Sequence, residues 1–216
     1  MTRVGLRRAT LVVAAAGAAV LVFAAVAAGG GGNFKNGNFE TGTFAPGWQH
    51  DCSSCEGDWF VSNKKVSPIS GQSWYGPMEK EYEAVADENG ADTDVLWQTF
   101  KVAKANSRLT FLIEWKNQAE VWCNPGDLAF TSDCGAPPYN QQIRVDIQPA
   151  GADPFDTASL MNLFQTTNST PQSQGKTKIT ANLGGITGTV QLRVAAVSGQ
   201  YRLLVGIDNV QVNNGG

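Results

Sequence analysis

Residues 108–116 read Arg-Leu-Thr-Phe-Leu-Ile-Glu-Trp-Lys, and this stretch is the clearest indication of the fold class. Large apolar side chains fall at every second position, at Leu109, Phe111, Ile113 and Trp115, with polar residues at most positions between them. Successive side chains of a β-strand point to opposite faces, so this period of two predicts a strand with one buried face.

The same alternation recurs along the chain. It is clear at residues 143–147 and 190–196, and weaker strands are predicted at residues 58–62, 81–86, 95–102, 177–183 and 206–212. Gly, Pro, Asn and Ser cluster between these segments, as turns require. Only residues 154–164 have a helical appearance, and their spacing is ambiguous. Many one-sided strands with little or no helix predict an all-β sandwich of two antiparallel sheets packed face to face.

The first 28 residues have the features of a secretory signal peptide. Arg3, Arg7 and Arg8 precede a long apolar run, and small residues stand just before Gly29. An uncleaved run of this length would instead be an N-terminal membrane anchor. We expect a signal peptide at residues 1–28, a glycine-rich tether at 29–35, one domain at 36–213 and a tail at 214–216. The domain is then secreted or held at the cell surface.

The charge balance argues against one class of partner. Loss of the leader removes three of the 16 basic residues and none of the 19 acidic ones, which leaves 13 against 19 and a net charge of about −6. A surface of that sign repels phosphate backbones, so we expect no nucleic-acid partner.

Four cysteines follow the leader, where oxidation is the default. Proximity favours disulfides Cys52–Cys55 and Cys123–Cys134, although four cysteines allow three pairings and crossed pairing stays open. His50, the sole histidine, lies beside the first pair and raises zinc as an alternative, but a fourth ligand is not evident. A redox Cys-x-x-Cys site is a further alternative, without the helix that such a site uses.

Two acids near opposite ends of the domain form a candidate cation site. Glu40 lies near the start of the domain, in the segment 36–42, and Asp208 lies in the last predicted strand. First and last strands of a sandwich commonly lie side by side, and two adjacent carboxylates require a cation or a proton between them. If the last strand is regular, Asp208 shares the face of Val210 and Val212 and points toward the core. An Asp that accepts backbone N–H bonds in a turn is the alternative.

Three segments carry a family resemblance. Residues 36–48 read Asn-Gly-Asn-Phe-Glu-Thr-Gly-Thr-Phe-Ala-Pro-Gly-Trp and resemble the opening of bacterial jelly-roll modules of the carbohydrate-binding, galactose-binding-like superfamily. Residues 96–102 and 207–212 are similar to a middle strand and the final strand of those modules. The resemblance implies a jelly-roll sandwich and a structural calcium ion held partly by Glu40 and Asp208. The insert at residues 117–139 departs from the minimal pattern.

Four aromatic residues are candidates for ligand binding because they stand beside Gly, Pro, Cys or Asn, where loops are expected. They are Trp74, Tyr75, Trp122 and Tyr139. Flat aromatic faces pack against sugar rings, and loops often carry binding residues. Core packing is the alternative, and we assign it to Trp48, Trp97 and Trp115.

Catalysis is not expected. Glu114, Glu120 and Asp146 are the acids considered for glycoside hydrolysis, but Glu114 and Asp146 have the spacing of outward strand residues. A single histidine leaves little room for a Ser-His-Asp triad. The expected function is therefore a non-catalytic module that binds an extracellular glycan. The alternative is an adhesive or structural surface protein with a protein ligand.

Overall fold

Ten β-strands and no helix are found in residues 34–135 and 139–213, the part of the chain that the computed structural model describes. The strands are β1 (Gln49–Cys52), β2 (Asp58–Ser62), β3 (Glu83–Glu88), β4 (Asp92–Val102), β5 (Arg108–Asn117), β6 (Gln141–Pro149), β7 (Met161–Gln165), β8 (Ser173–Asn182), β9 (Gly188–Ser198) and β10 (Leu203–Asn213). The predicted leader, residues 29–33 of the tether and the tail at 214–216 lie outside the described residues. No described segment forms a helix that could cross a membrane.

The strands form two five-stranded antiparallel sheets. Sheet I has the order β1-β4-β9-β6-β7, and sheet II has the order β2-β3-β10-β5-β8. The predicted all-β sandwich is therefore confirmed. The stretch with helical appearance, residues 154–164, is instead a loop followed by the short edge strand β7, because its apolar residues pack on a sheet rather than repeat around a helix.

The main core fills the space between the two sheets. Leu109, Phe111, Ile113 and Trp115 of β5 all enter it, as their alternation predicted. Each fully buried side chain of this kind stabilises the fold by about 1.5–3 kcal/mol. Part of the outer face of each sheet is buried as well, because a loop covers it.

Two loops provide that cover. Trp74, from the loop between β2 and β3, packs on Val85 and Leu204 on the outer face of sheet II. Leu128, from the insert between β5 and β6, packs on Val95 and neighbouring residues on the outer face of sheet I. A second layer of burial therefore lies outside each sheet.

The two ends of the domain are neighbours. The Val210 N–H of β10 donates to the Gly37 carbonyl at 2.7 Å. A side chain at Gly37 would place its Cβ 2.2 Å from the Val210 oxygen, so only glycine allows this approach. Phe34 also stacks on Phe100, with ring centroids 4.3 Å apart, so the packed chain already includes residue 34.

Candidate metal centre and candidate ligand surface

Glu40 and Asp208 are held by the same short segment of backbone. One Glu40 oxygen accepts the N–H groups of Glu81 and Tyr82, each at 3.2 Å. One Asp208 oxygen accepts the Glu79 N–H at 3.0 Å. The structure thus brings the two predicted acids to opposite ends of a five-residue bridge, residues 78–82.

Asp208 is fully buried, and its surroundings are acidic. Burial and the nearby charges of Glu79 and Glu40 raise the pKa of Asp208 to about 7, although backbone N–H bonds from Asn209 and Glu79 oppose the shift. Glu79 has a partial counter-ion in Lys176, with nitrogen and oxygen 3.2 Å apart. Among the described residues, neither Glu40 nor Asp208 forms an ion pair with a basic side chain.

The predicted orientation of Asp208 is wrong. The pairing of β10 with β5 shifts register between Asp208 and Gln211, and Asn209 has a φ of 48°. Ile207 and Val210 consequently both enter the core although they are three positions apart. This bulge reverses the alternation after Asp208, so its carboxylate lies on the outer face of sheet II.

A pocket of about 500 Å³ lies beside these acids. Its lining comes from both chain ends and from the bridge, and it comprises Phe34, Asn36, Gly37, Asn38, Glu40, Glu79, Lys80, Asn209, Val210, Gln211, Val212 and Asn213. Carboxylate, amide and carbonyl oxygens dominate this surface. Such donors suit a hard cation such as calcium.

A separate cluster of three acids brings its carboxylate oxygens close together. Glu88, Asp92 and Asp94 each offer a carboxylate oxygen, and these atoms all lie within 4.8 Å of one another. All three residues are buried, and the group could hold a metal ion. The sequence analysis missed it, because the predicted strands at residues 81–86 and 95–102 leave all three acids in the connection between them.

Two further buried acids meet across Gly206 on the outer face of sheet II. An added Cβ at Gly206 would lie 2.9 Å from a Glu83 oxygen and 3.4 Å from a Glu114 oxygen, and neither oxygen has a hydrogen-bond donor. Burial, then the Glu114 charge, raises the pKa of Glu83 to about 8, although the Trp74 N–H donates to it at 2.6 Å. Burial likewise raises the pKa of Glu114 to about 7, while the Lys116 charge opposes the shift and the Asp208 charge adds to it. Burial and the mutual charge therefore favour the protonated, neutral form of these two carboxyls.

This pair makes protein stability depend on pH. A carboxyl whose pKa is raised on folding stabilises the fold fully below the unfolded pKa of about 4.5, and that contribution is lost as the pH rises through about 8. We expect Glu83→Gln to be more stable than wild type at pH 9, on the order of 2–4 kcal/mol, and close to wild type at pH 5. Urea unfolding of both proteins between pH 5 and pH 9, in the presence of a calcium chelator, measures this difference in stability. Glu120→Gln, which removes an exposed acid, should keep the wild-type profile. The wild-type profile in Glu83→Gln would refute the raised pKa of Glu83.

The predicted disulfides are present. Cys52 is joined to Cys55, and Cys123 is joined to Cys134. His50 binds Asp58 at 2.8 Å instead of completing a zinc site with the two oxidised sulfurs.

The four predicted ligand-binding aromatics divide into two groups. Trp74 is 5% exposed and Trp122 is 3% exposed, so the exposure expected of them is not found. Trp74 packs on the outer face of sheet II, whereas Trp122 belongs to the main core between the sheets. Each indole N–H has an acceptor, Glu83 for Trp74 and the Thr170 carbonyl at 2.9 Å for Trp122.

Tyr75 and Tyr139 are exposed, at 39% and 41%, and they lie apart from each other. The Tyr75 hydroxyl is 2.5 Å from the Ser173 hydroxyl on β8, and the Lys116 ammonium lies 4.8 Å from the centre of its ring. Tyr139 instead packs against Gly199, at the turn between β9 and β10.

The three tryptophans assigned to the core have different outcomes. Trp48 and Trp115 belong to the main core. Trp97 does not, because it lies on the outer face of sheet I and is only partly buried beside Phe130 and Phe155.

The acids considered for catalysis point outward, as predicted, but the covering loops bury two of them. Glu114 is 2% exposed, and Asp146 is fully buried and paired with Arg144 and Arg193. Glu120 is exposed. On sheet I, amide side chains of Gln142, Gln148 and Gln191 extend the Asp146–Arg193 pair into a buried polar strip.

Comparisons with known proteins define the fold. No protein-family model and no curated protein matches the sequence. The structure is similar to TmCBM61, a carbohydrate-binding module solved in complex with beta-1,4-galactotriose, with a TM-score of 0.51, 16% identity, and coverage of 85% of this chain and 99% of that one. It is also similar to the K3 cleaved adhesin domain of Lys-gingipain from Porphyromonas gingivalis w83, with a TM-score of 0.51, 13% identity, and coverage of 83% and 96%.

A family 11 carbohydrate-binding module from Clostridium thermocellum matches with a TM-score of 0.44 and 8% identity, covering 85% of this chain and 96% of the module. Identities this low define the fold alone. The two structures with TM-scores of 0.51 share the β-sandwich fold that the sequence predicted.

Proposed function

We propose that this chain is a non-catalytic binding module of the cell exterior, that its ligand is an extracellular carbohydrate, and that a structural calcium ion joins its two ends. Two disulfides and the fold shared with carbohydrate-binding modules support this function. The observation that carries it is the exposed ring of Tyr75, set among hydroxyl and amide groups.

The surface around Tyr75 has the chemistry of a sugar site. The ring is exposed on the outer side of sheet II, near the Ser173 hydroxyl. Gln72 and Gln118 bond to each other at 3.1 Å nearby, and the Lys116 ammonium donates to the Ser73 carbonyl at 2.9 Å. An aromatic face packs against the C–H face of a pyranose, while amides and hydroxyls bond its hydroxyl groups. Tyr139 offers a second, separate aromatic contact.

The donor set at the chain ends fits calcium. Glu40 and Asp208 would hold the ion, and the oxygens that line the adjacent pocket would complete its shell. Asp208 is buried without a basic partner among the described residues, and a buried carboxylate of this kind requires neutralisation. A bound ion would cross-link the turn that carries Glu40 to strand β10, which carries Asp208.

A glycan array followed by titration calorimetry tests the carbohydrate proposal. We expect binding to at least one glycan, and Tyr75→Ala should weaken it at least about tenfold, or 1.4 kcal/mol, since truncated aromatic anchors commonly cost that much or more. Ile69→Ala is the matched control, because Ile69 lies in the same loop and is also 39% exposed. Equal affinity in both variants would remove Tyr75 from the site, and Tyr139→Ala then tests the second contact.

A protein ligand is the second candidate. Val121, Tyr139 and Tyr201 are each more than 40% exposed, and Tyr139 lies against the β9–β10 turn that carries Tyr201. Exposed aromatic and aliphatic side chains of this kind are typical of protein interfaces. Absence of binding to any glycan on the array would favour this adhesive function.

A further inference from the structure

Glu88, Asp92 and Asp94 lie at one end of the sandwich, where the chain crosses from sheet II to sheet I. Glu88 ends β3, and Asp92 and Asp94 begin β4. The β9–β10 connection flanks them, since Asp92 is paired with Ser198 and Glu88 with Leu203. The acids are therefore fixed by four strands rather than by a single loop.

Asp92 is fully bonded, and it fixes the neighbouring disulfide loop. One of its oxygens accepts the N–H groups of Ser53 and Ser54, at 3.1 and 2.8 Å, and the other accepts those of Glu56 and Gly57, at 2.8 and 3.3 Å. Burial opposes ionisation, but these donors win and lower the pKa of Asp92. The Asp92 carboxylate, held in place by these backbone N–H groups, thus lies beside the other two acids.

Glu88 and Asp94 are not satisfied. Both are 0% exposed, yet no N–H or O–H group of another described residue reaches either Asp94 oxygen or one of the Glu88 oxygens, and the two carboxyls lie within hydrogen-bond reach of each other. Asp58 and Asp87 add further negative charge near Asp94. No Lys or Arg of the described residues forms an ion pair with Glu88, Asp92 or Asp94. Buried carboxylates without partners cost several kcal/mol each, so something must neutralise them.

We propose that Glu88 and Asp94 bind a second calcium ion, with Asp92 as the third acid of the site. Calcium binds oxygen at 2.3–2.6 Å, so its ligand atoms lie at most about 5 Å apart. The 4.8 Å span of the three carboxylates meets that limit. Glu88 and Asp94 would be the acidic ligands, and Asp92, whose oxygens already accept backbone N–H groups, would add negative charge beside the ion.

The disulfide loop closes over this site. A Cβ at Gly57 would lie 2.9 Å from an Asp94 oxygen and 2.5 Å from the Asp87 carbonyl, so the backbone of the loop lies directly against the acids. The ion would therefore link the Cys52–Cys55 loop to the connection between β3 and β4. This site is independent of the cation proposed at the chain ends.

Counting bound calcium tests the proposal. Protein stripped with EGTA is dialysed against excess calcium at pH 7.5, and the bound ion is measured by mass spectrometry. We expect two ions for wild type and one for Asp94→Asn, Glu88→Gln and Asp208→Asn alike. Asp51→Asn, an exposed acid of the adjacent strand β1, is the matched control and should keep two.

Thermal unfolding distinguishes the loss of this calcium site from misfolding of the variant. In EGTA, Asp94→Asn should melt cooperatively and above wild type, because it removes charge repulsion, and calcium should raise its melting temperature less than it raises that of wild type. An unchanged ion count in both Asp94→Asn and Glu88→Gln would overturn the proposal and assign a shared proton to the pair. If the proposed site at Glu40 and Asp208 binds no calcium but this one does, wild type binds one ion and Asp94→Asn binds none.

Discussion

Replacing Trp122 with alanine is expected to destabilise the protein by about 3–5 kcal/mol, the usual cost of truncating a buried tryptophan. Trp122 is 3% exposed and belongs to the main core, and its indole N–H donates to the Thr170 carbonyl. The variant leaves a cavity and also an acceptor without its donor. For a domain of this size the melting temperature should fall by roughly 6–20 °C, as measured by calorimetry.

Trp74→Ala should behave similarly for the same reason. Tyr201→Ala is the control, because Tyr201 is 42% exposed and surface changes usually alter stability by less than about 0.5 kcal/mol. Trp122→Phe keeps most of the packing and isolates the lost hydrogen bond, at about 1–3 kcal/mol. A Trp122→Ala variant that melts with wild type would show that this indole is not part of the core.

Chelation of calcium is expected to produce the second large effect. An ion that binds only the folded state stabilises it by about 2.7 kcal/mol at a hundredfold excess over Kd and about 4.1 kcal/mol at a thousandfold excess. Because the ion would join the Glu40 turn to the Asp208 strand, its removal should separate the chain ends. Differential scanning calorimetry with and without EGTA should show a drop of about 5–16 °C.

The variant Asp208→Asn should lose the part of that response that comes from the chain ends. Asp133→Asn serves as control, since Asp133 is exposed in the insert and accepts the Gly135 N–H. If EGTA leaves the wild-type melting temperature unchanged, the calcium proposals at both sites are wrong.

The fold could be predicted from the sequence because its signal is local. The alternation in β5 fixes which face is buried, and the predicted segment 58–62 coincides with β2. The strands β1 and β7 were missed because they lack a clean alternation: β1 reads Gln-His-Asp-Cys, and in β7 Leu163 and Phe164 are adjacent apolar residues.

Burial outside the two sheets could not be predicted in this way. Trp74 stands among turn residues, and only the path of its loop over sheet II shows that it is covered. Trp122 also stands among turn residues, and only the tertiary fold shows that it enters the core between the sheets. Glu114 alternates as an outward residue, and it does point outward, but the Trp74 loop lies above it. Alternation reports the face of a side chain and not what covers that face.

The acid sites divide in the same way. Glu40 and Asp208 could be paired from a family resemblance and from the rule that terminal strands adjoin. The bulge after Asp208 could not be foreseen, because Asn209 in a left-handed conformation leaves no clear mark in the sequence. Glu88 and Asp94 meet only because the connection between β3 and β4 crosses from one sheet to the other, which is a property of the tertiary fold.

The central claim is that acids from opposite ends of the domain hold one ion, and a double-mutant cycle tests it most directly. Glu40→Gln, Asp208→Asn and the double variant are made in an Asp94→Asn background, and the calcium-induced rise in melting temperature is measured for each. We predict that either single change abolishes the rise and that the double variant loses nothing more. A full rise in Glu40→Gln, or partial losses that add in the double variant, would contradict a shared site.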